Sequence, residues 1–229
     1  MLDVWYSLAP PDGPPLLDAQ EQARHARFLC QRTARTFAQA HTLKRCLLSH
    51  HHPQQAPLDW RFESGPAGKP ALREPAPCHF NLSHSGDAIA VAVADQAVGL
   101  DIESHRELKD GLAIAQRVFH PRERQWLQAQ PDFVAAFYRL WTLKEALLKA
   151  TGEGFTQAPE ALCWDELDAA MPAIHHAGQH WQALGLALPG ATLAVVMADP
   201  QQLREARLHE LQAREGACLR GRQHAFHRP

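Results

Sequence analysis

The sequence predicts an α+β fold built from two similar halves. Helical patterns occupy residues 21–50 and 132–151, and between them lies a stretch of short apolar strands and tight turns, residues 78–102. The motif A-V-x-x-A-D at residues 90–95 returns at residues 194–199, close to half of the 229-residue chain later. Two related halves packed about a pseudo-two-fold axis would produce this repeat, and a chance likeness between two strands would produce it as well.

Composition places the chain among globular proteins. With 229 residues, of which 45% are apolar and 21% charged, it can bury a sizeable core, which excludes disorder of the whole chain. The 23 basic and 25 acidic side chains give a formal net charge of −2, so no overall positive charge favours a polyanionic partner such as nucleic acid. The five cysteines are widely spaced and form no C-x-x-C pair, which favours reduced thiols over disulfides or a zinc site.

The sequence gives no sign of a membrane segment or a signal peptide. The first residues, MLDVW, lack a basic and apolar run, and the most apolar stretch, 184–198, is shorter than a membrane span and is broken by Pro189-Gly190. We therefore expect a soluble, cytoplasmic protein.

The N-terminal part begins with a short strand, followed by a proline-rich loop over residues 8–18 and a helical region from Glu21 to His50. A solvated helix face and a phosphate-binding wall are both consistent with the basic excess of that region. Apart from Glu21 its charged side chains are all basic: Arg24, Arg27, Arg32, Arg35, Lys44 and Arg45. The loop His50-His51-His52-Pro53 follows, and its adjacent histidines lack the spacing of a helical metal pair.

Strands and turns follow from Cys78. We expect strands at 80–82, 88–94 and 98–102, with residues 83–87 (SHSGD) forming a tight loop. Helical pattern returns at 107–119, again after Pro121, and most strongly from Asp132 to Thr151.

Glycines at 152 and 154 predict a left-handed cap for that last helix. Strands and loops continue to about Pro200, and the arginine-containing tail predicts one helix and a frayed end. We divide the chain into an N-terminal half (1–104), a C-terminal half (105–200) and a tail (201–229).

Two carboxylates stand out on the strand that ends near residue 102. Asp101 and Glu103 are two residues apart, so both should project from the same face of a strand. Two carboxylates on one face repel each other unless a cation lies between them, and carboxylate oxygens suit Mg²⁺. A solvated strand end is the competing interpretation.

The strongest helix carries a second set of candidates. Trp141, Glu145 and Lys149 recur every four residues and share one stripe. An exposed Glu–Lys pair stabilises a helix by only about 0.3–0.5 kcal/mol, but the surrounding leucines predict partial burial of this one. Such a pair can supply a metal ligand or base and a phosphate-binding cation. The small residues of Gly68-Lys69-Pro70 and of residues 81–85 would let backbone N–H groups approach a phosphate or a nucleobase.

Four segments, in this order, resemble the signature of the 4′-phosphopantetheinyl transferases of the larger, surfactin-synthetase-activating type. They are Gly68-Lys69-Pro70, FNLSHSGD (80–87), GLDIE (99–103) and LWTLKEALLKATGEG (140–154). The resemblance extends from about Arg24 to Phe155. It implies two similar α+β halves in one chain, with the active site in the cleft between them. It also implies transfer of 4′-phosphopantetheine from coenzyme A to a serine of an apo acyl or peptidyl carrier protein, with release of 3′,5′-ADP.

The resemblance assigns roles to individual residues. Asp101, Glu103 and Glu145 match the acids that bind Mg²⁺, and Asp101 also lies at the coenzyme A site. Glu145 would be the base, directly or through a metal-bound water. Lys149 matches the lysine that contacts the coenzyme A phosphates.

Further matches lie at the nucleotide end of coenzyme A. Arg24, four residues before the aromatic Phe28, is placed at the 3′-phosphate, and His41 is a second candidate there. The resemblance puts four more residues along the nucleotide: Lys69, Asn81, Ser83 and His84.

Two other function classes fit parts of the pattern. A metal-dependent nuclease or phosphodiesterase also combines acids with a lysine, but its E-x-K pair lies on a strand, whereas Glu145 and Lys149 are four apart on a helix. A non-catalytic carrier-binding module would not need all the matched acids and Lys149. The partners we expect are coenzyme A and apo carrier proteins, with neither nucleic acid nor membrane, and the protein should act as a monomer. Residues 112–126, which combine apolar and basic side chains, are the candidate carrier-docking segment. The competing interpretation is that their apolar groups pack the core of the C-terminal half.

Overall fold

Two β-sheets, each with a long helix on its outer face, form the framework of the protein. The structure is a computed structural model, and it describes residues 1–65, 68–73, 78–154, 158–211 and 222–224. The helices are α1 (Ala19–His25), α2 (Gln31–His51), α3 (Gly111–Val118), α4 (Pro121–Gln128), α5 (Phe133–Thr151) and α6 (Pro200–Arg204). The strands are β1 (Leu2–Ser7), β2 (Phe62–Ser64), β3 (Pro70–Leu72), β4 (His79–Ser85), β5 (Ala88–Ala94), β6 (Val98–Ser104), β7 (Ala173–His176), β8 (Gln179–Leu188), β9 (Ala191–Met197), β10 (Arg207–Glu210) and β11 (Arg222–His224). The predicted α+β class is confirmed.

The first sheet has the strand order β11-β10-β1-β5-β4, and the second has the order β6-β9-β8-β7. Strands β2 and β3 form a separate hairpin. All pairings are antiparallel except that of β1 with β10, which is parallel. The repeated A-V-x-x-A-D motif begins in β5 of the first sheet and in β9 of the second, each an interior strand of its own sheet.

Alternating side chains divide the core into layers. One face of the first sheet packs against α2, and one face of the second packs against α5. The remaining faces of the two sheets share a core, because successive residues of a strand point to opposite faces. Side chains in that shared core include Leu2, Val4, Ala90, Ala92, Leu100, Ile102, Leu193 and Val195.

Helix α5 lies directly against β6 because Gly99 has no side chain. A Cβ at this position would lie 1.8 Å from the Ala146 carbonyl oxygen and 2.5 Å from the Ala150 nitrogen. The close approach sets the helix that carries Glu145 and Lys149 against the strand that carries the two predicted acids.

The predicted helix over residues 21–50 is wrong in one respect, since it is broken into α1 and α2 at residues 26–30. Asp18 caps α1: its carboxylate accepts the Glu21 N–H at 2.9 Å, and Glu21 accepts the Asp18 N–H at 3.0 Å. Glu21 also accepts hydrogen bonds from Lys44 and Arg45 of α2. These bonds hold α1 back against α2, and no glycine or proline marks the break in the sequence.

The helices of the second half follow the sequence more closely. The helix predicted from residue 107 begins only at Gly111, and the one after Pro121 is confirmed. Helix α5 is capped by Asp132, whose carboxylate accepts the Ala135 N–H at 3.0 Å. Gly152 ends it with φ 75°, which is the predicted left-handed cap.

The tail contributes to the first sheet. After the five-residue α6, β10 pairs with β1 over Asp3 to Tyr6, and β11 pairs with β10. The prediction of a frayed end is therefore wrong for residues 207–210 and 222–224. The rest of the predicted frayed tail, residues 212–221 and 225–229, and Phe155 at the end of the resemblance lie outside the described residues. Within the described part of the chain, no helix is long and apolar enough to cross a membrane.

Candidate active site

Strands β4 and β6, each at the edge of its own sheet, are joined by side chains. Ser83 Oγ donates to Asp101 Oδ1 at 2.7 Å, and two residues further on Ser85 Oγ donates to Glu103 Oε2. Ser104 Oγ donates in turn to the Ser85 carbonyl at 2.6 Å. We call this line of contacts the β4–β6 seam. It aligns both acids of the second sheet with the serines of the first.

Asn81 lies inside the seam. Its amide oxygen accepts the Leu100 N–H at 2.7 Å, and its side chain is buried. The structure therefore uses this predicted nucleotide residue to tie β4 to β6.

Residues 83–85, the first part of the predicted tight loop over 83–87, belong to β4. This strand pairs with β5 through Ser85 opposite Ala88, and only Gly86 and Asp87 form the turn, with Gly86 at φ 60°. The prediction is wrong because small polar residues are typical of turns, whereas here their hydroxyl groups bond to the neighbouring strand β6.

Lys149 reaches the seam from the last turn of α5. Its Nζ donates to Asp101 Oδ1 at 2.7 Å and to Ser83 Oγ at 3.0 Å. The Asp101 side chain is almost fully buried, and its second oxygen, Oδ2, has no hydrogen-bond partner among the described residues. A buried carboxylate oxygen without a partner is costly, so this atom is suited to an additional cation or donor.

Glu145 and Glu103 are both harder to ionise than ordinary glutamates. Burial, then the charge of Asp101, raises the pKa of Glu145 to about 7, although Lys149 opposes the shift. Burial also raises the pKa of Glu103, with Asp101 adding to the effect and the Ser85 hydrogen bond and Lys149 opposing it. The three carboxylates thus act on one another, and a cation between them would relieve their repulsion.

The donor set has the chemistry that Mg²⁺ prefers, because all three candidate ligands are carboxylates and Asp101 Oδ2 is unpaired. The described side chains nevertheless include no group of three Asp, Glu, His or Cys residues close enough to hold a metal ion. Lys149 takes one oxygen of Asp101 and Ser85 takes one of Glu103. The three acids are therefore close enough to influence one another's pKa, but their carboxylates are not close enough together to coordinate a single ion.

Three of the nucleotide candidates, His84, His41 and Arg24, lie near one another where β4 meets α1 and α2. Burial, with the nearby charges of His41, Lys149 and Arg24, lowers the pKa of His84 to about 4. His84 is therefore neutral at pH 7 and offers a hydrogen bond rather than a charge. The exposed Arg24 guanidinium lies 5.2 Å from the centre of the Phe37 ring. The structure thus brings three predicted nucleotide residues to one region.

The basic helical region is in part a solvated face and in part a buried network of ion pairs, so it forms no continuous phosphate-binding wall. Lys44 and Arg45 are fully buried and bind Glu21, at 2.6 Å and 2.8 Å respectively. His41, the second candidate for the 3′-phosphate, is also buried, with its Nδ1 2.7 Å from Glu21. Burial alone would raise the pKa of Glu21, but the hydrogen bond with His41, the charge and hydrogen bond of Lys44 and the Asp18 N–H hold it well below its usual range.

Two more basic residues of that region form ion pairs at the surface. Arg32 binds Asp87 at 2.7 Å, and Arg35 binds Asp12 at 2.6 Å. Arg24 and Arg27, both exposed, have no ion pair among the described residues.

Lys69 points to the end of α5. Its Nζ donates to the Lys149 carbonyl at 2.6 Å and to the Val98 carbonyl at 3.1 Å. Burial, then the charge of Lys149, lowers the pKa of Lys69 to about 8.

A buried ion pair beside Glu145 has no counterpart in the sequence analysis. Lys144 Nζ lies 2.7 Å from Glu123 Oε2 and also donates to the Pro159 and Leu162 carbonyls. Glu123 accepts the Trp164 N–H at 3.0 Å. The pair fixes α5 against α4 and against the segment that follows α5, residues 159–164. Its only signal in the sequence is a charged residue next to Glu145, since the partner lies in another helix.

Comparison with known proteins agrees with the geometry. The family model of the 4′-phosphopantetheinyl transferase superfamily matches residues 97–196. A putative 4′-phosphopantetheinyl transferase of Synechocystis sp. is 32% identical over 195 residues, which cover 78% of this chain and 77% of that protein. The 4′-phosphopantetheinyl transferase Sfp of Bacillus subtilis is 30% identical over 168 residues, 71% of this chain and 69% of Sfp. A 4′-phosphopantetheinyl transferase of Bacillus pumilus is 38% identical over 145 residues, 62% of this chain and 60%, less than two thirds, of that protein.

Proposed function

The chain belongs to the 4′-phosphopantetheinyl transferase superfamily, and we propose that it transfers the 4′-phosphopantetheine group of coenzyme A to a serine of an apo acyl or peptidyl carrier protein. The observation that carries the proposal is the meeting of Asp101, Ser83 and Lys149 at the β4–β6 seam. Three segments of the signature supply these residues, and they lie on two strands and a helix.

We further propose that the two sheets represent two similar halves with the active site at their junction. The repeated motif supports this, because it begins in an interior strand of each sheet. Both halves lie in one chain, so a monomer would hold a complete site. A cytoplasmic location is part of the same proposal, supported by the free thiols of Cys30, Cys78 and Cys163.

In this proposal Asp101, Glu103 and Glu145 would hold Mg²⁺, which when bound offsets the negative charge of the coenzyme A diphosphate. Asp101 is fixed for that task by Ser83 and Lys149, and Glu103 by Ser85. Phosphoryl transfer depends mainly on positioning and electrostatics, so a site without a covalent nucleophile suits it.

Glu145 would remove the proton from the carrier serine. Without a metal ion, burial and the charge of Asp101 raise the pKa of Glu145 to about 7, which makes it a stronger base than an ordinary glutamate, whereas Mg²⁺ bound to the same carboxylate would lower that pKa. The serine oxygen forms a bond to the β-phosphorus of coenzyme A, and the bond from that phosphorus to the bridging oxygen breaks. The departing 3′,5′-ADP keeps the bridging electrons, and the ammonium of Lys149 stabilises its developing charge.

Arg24 would bind the 3′-phosphate, with Ser83 and His84 along the nucleotide. Arg24 is exposed and close enough for its charge to act on His84, and a neutral His84 can donate to a phosphate oxygen. We assign His41 and Asn81 a supporting role, because both are buried and already bonded within the protein.

The carrier would dock on α3. Leu112 and Ile114 are 60% and 37% exposed, and Arg117 on the same helix is exposed. An open cavity of ≈ 490 Å³ adjoins them, lined by residues 108–113 and Phe133. The aromatic residues of the predicted docking segment are less accessible, since Phe119 is fully buried and Trp126 packs against the core.

Mass spectrometry of apo-carriers incubated with coenzyme A and Mg²⁺ tests the function. The expected result is the mass gain of one phosphopantetheine group on a carrier serine, together with release of 3′,5′-ADP. A Lys149→Met variant should give far less product. If fatty-acid, polyketide and peptide carriers all remain unmodified while a phosphodiester substrate is hydrolysed, the chain is a phosphodiesterase instead. Binding of carriers without product would indicate a carrier-binding module.

A further inference from the structure

The Lys149 carbonyl, in the last turn of α5, receives no backbone N–H from the residues that the structure describes. Gly152 turns the chain into the left-handed conformation, and its N–H bonds to the Leu148 carbonyl at 3.0 Å. In a continuing helix the next N–H, of Glu153, would bond to Lys149, but it points to Thr151 Oγ1 at 3.4 Å. The Lys149 carbonyl therefore depends on a donor from elsewhere.

Lys69 supplies that donor from a distant hairpin. It lies immediately before β3, 80 residues before Lys149, and its Nζ donates to the Lys149 carbonyl at 2.6 Å. The same Nζ donates to the carbonyl of Val98, the first residue of β6, at 3.1 Å. One ammonium thus joins the end of the helix to the start of the strand that carries the predicted metal ligands.

The charge of Lys69 suits this position. The carbonyl end of a helix carries partial negative charge, so a cation there is stabilising. Both contacts described for the Lys69 ammonium are to backbone carbonyls of neighbouring elements, and the side chain is half-buried. Burial and the charge of Lys149 lower the pKa of Lys69 to about 8, so the side chain is still mostly a cation at pH 7.

We propose that Lys69 is a positioning residue, which caps α5 from the β2–β3 hairpin and thereby fixes the backbone of Lys149. The side chain of Lys149 donates to Asp101 and Ser83, so the direction of its ammonium depends on where its main chain is held. This role differs from the nucleotide contact that the sequence resemblance implies for Lys69. The kinetic part of the proposal rests on the proposed transferase activity, and the structural part does not.

Hydrogen exchange of the free protein separates the two roles. In Lys69→Met, the amides in the last turn of α5 should exchange about tenfold faster than in wild type without coenzyme A, a change equal to about 1.4 kcal/mol. Lys69→Arg, which keeps the charge and the donors, should recover most of the protection. Arg73→Met is the matched control, since it removes an exposed cation just after β3 and should leave α5 unchanged.

Kinetics give the second readout. We expect Lys69→Met to lower kcat about tenfold with less than about twofold change in the KM for coenzyme A, and Lys69→Arg to restore most of kcat. Arg24→Ala is the reference for a nucleotide contact and should instead raise that KM. Should Lys69→Met keep wild-type exchange in α5 and raise the KM at unchanged kcat, Lys69 contacts the nucleotide and the proposal is overturned.

Two safeguards keep the outcome clear. If Lys69→Met does not fold, Lys69→Gln replaces it, because its amide retains a donor without charge, and partial loss of protection in α5 is expected. Unchanged protection in Lys69→Gln and Lys69→Arg, with a raised KM in both, again overturns the proposal. Because exchange is measured without substrates, absence of transfer by the wild-type protein would reject the proposed function and leave the capping result standing.

Discussion

Asp101 is the residue on which two sheets and a helix converge. One of its oxygens accepts bonds from Ser83 of the first sheet and Lys149 of α5, while the other is buried and unpaired among the described residues. A carboxylate held in this way has one oxygen fixed in place and one available, which is the arrangement expected of a metal ligand positioned by its neighbours.

Replacing Asp101 by asparagine tests this reading of the site. The variant keeps the shape and one acceptor but loses the charge, so we expect Mn²⁺ binding, followed by electron paramagnetic resonance, to weaken about 10–100-fold and transfer to fall at least as much. The loss of one carboxylate also relieves repulsion with Glu145 and Glu103, so the thermal stability should change little. Wild-type Mn²⁺ affinity in Asp101→Asn would remove this residue from the metal site.

Glu145 predicts a pH dependence of stability in the metal-free protein. Its pKa is about 7 in the folded state against an ordinary value of 4.5, so between these values the folded protein binds more protons than the unfolded chain. The stabilisation that this carboxyl contributes is therefore complete below pH 4.5 and is lost as the pH rises through 7. Urea unfolding with a chelator, from about pH 5 to pH 8, should show a smaller loss in Glu145→Gln than in wild type. Equal losses in the two proteins would contradict the raised pKa.

The sequence predicts which site residues lie side by side when they belong to the same strand or helix, because their spacing then determines the face from which their side chains project. Asp101 and Glu103 are two apart on a strand, and Glu145 and Lys149 are four apart on a helix. The partners of Lys69 and Lys44 could not be predicted in this way. Their acceptors lie 80 and 23 residues away, and only the packing of separate elements decides that one lysine binds carbonyls and the other a buried carboxylate.

At the scale of elements, the contact of α5 with β6 determines the geometry of the site. Only glycine at position 99 permits this contact, because a Cβ there would overlap the Ala146 carbonyl. The sequence predicts the helix, the strand and the cap at Gly152, since each has a local signal. It does not predict the break between α1 and α2, because that break results from Glu21 binding two residues of the next helix.

Gly99→Ala should therefore separate α5 from β6. Overpacking of a core commonly costs about 1–3 kcal/mol, and a clash with rigid backbone atoms belongs at the upper end, so we expect a loss of about 3 kcal/mol in urea unfolding. Gly185→Ala in β8 is the control: its Cβ would meet the end of the flexible Arg139 side chain, at 2.9 Å, and should cost less. Equal losses in the two variants would show that the close approach at Gly99 is not specific.

At the scale of the whole molecule, the fold is four layers, with α2 and α5 outside and two sheets inside. The short, nearly continuous apolar runs of β5 and β9 favour strands, and the burial of all seven side chains in each strand shows that both faces of the strand are packed. The pairing of β10 with β1 could not be predicted from the sequence, because the two strands are about 200 residues apart and no turn connects them.

The surface of α3 yields a prediction about carrier recognition. Carrier proteins of this type are small, acidic helical domains, so Arg117 beside the exposed Leu112 and Ile114 should attract them. We expect Arg117→Glu to raise the KM for apo-carrier about tenfold at low salt while the KM for coenzyme A stays at the wild-type value. Because the variant removes an attraction that salt screens, its KM and that of wild type should converge as salt is added.

The matched control for this prediction is Arg73→Glu, which reverses an exposed charge next to the β2–β3 hairpin and should leave the carrier KM unchanged. A second substitution, Leu112→Ser, separates the apolar part of the surface from the charged part, since its effect should persist at high salt. If Arg117→Glu and Leu112→Ser both leave the carrier KM at the wild-type value in low salt, the carrier must dock on another face of the molecule. Agreement of both with expectation would place the acceptor serine on the α3 side of the β4–β6 seam.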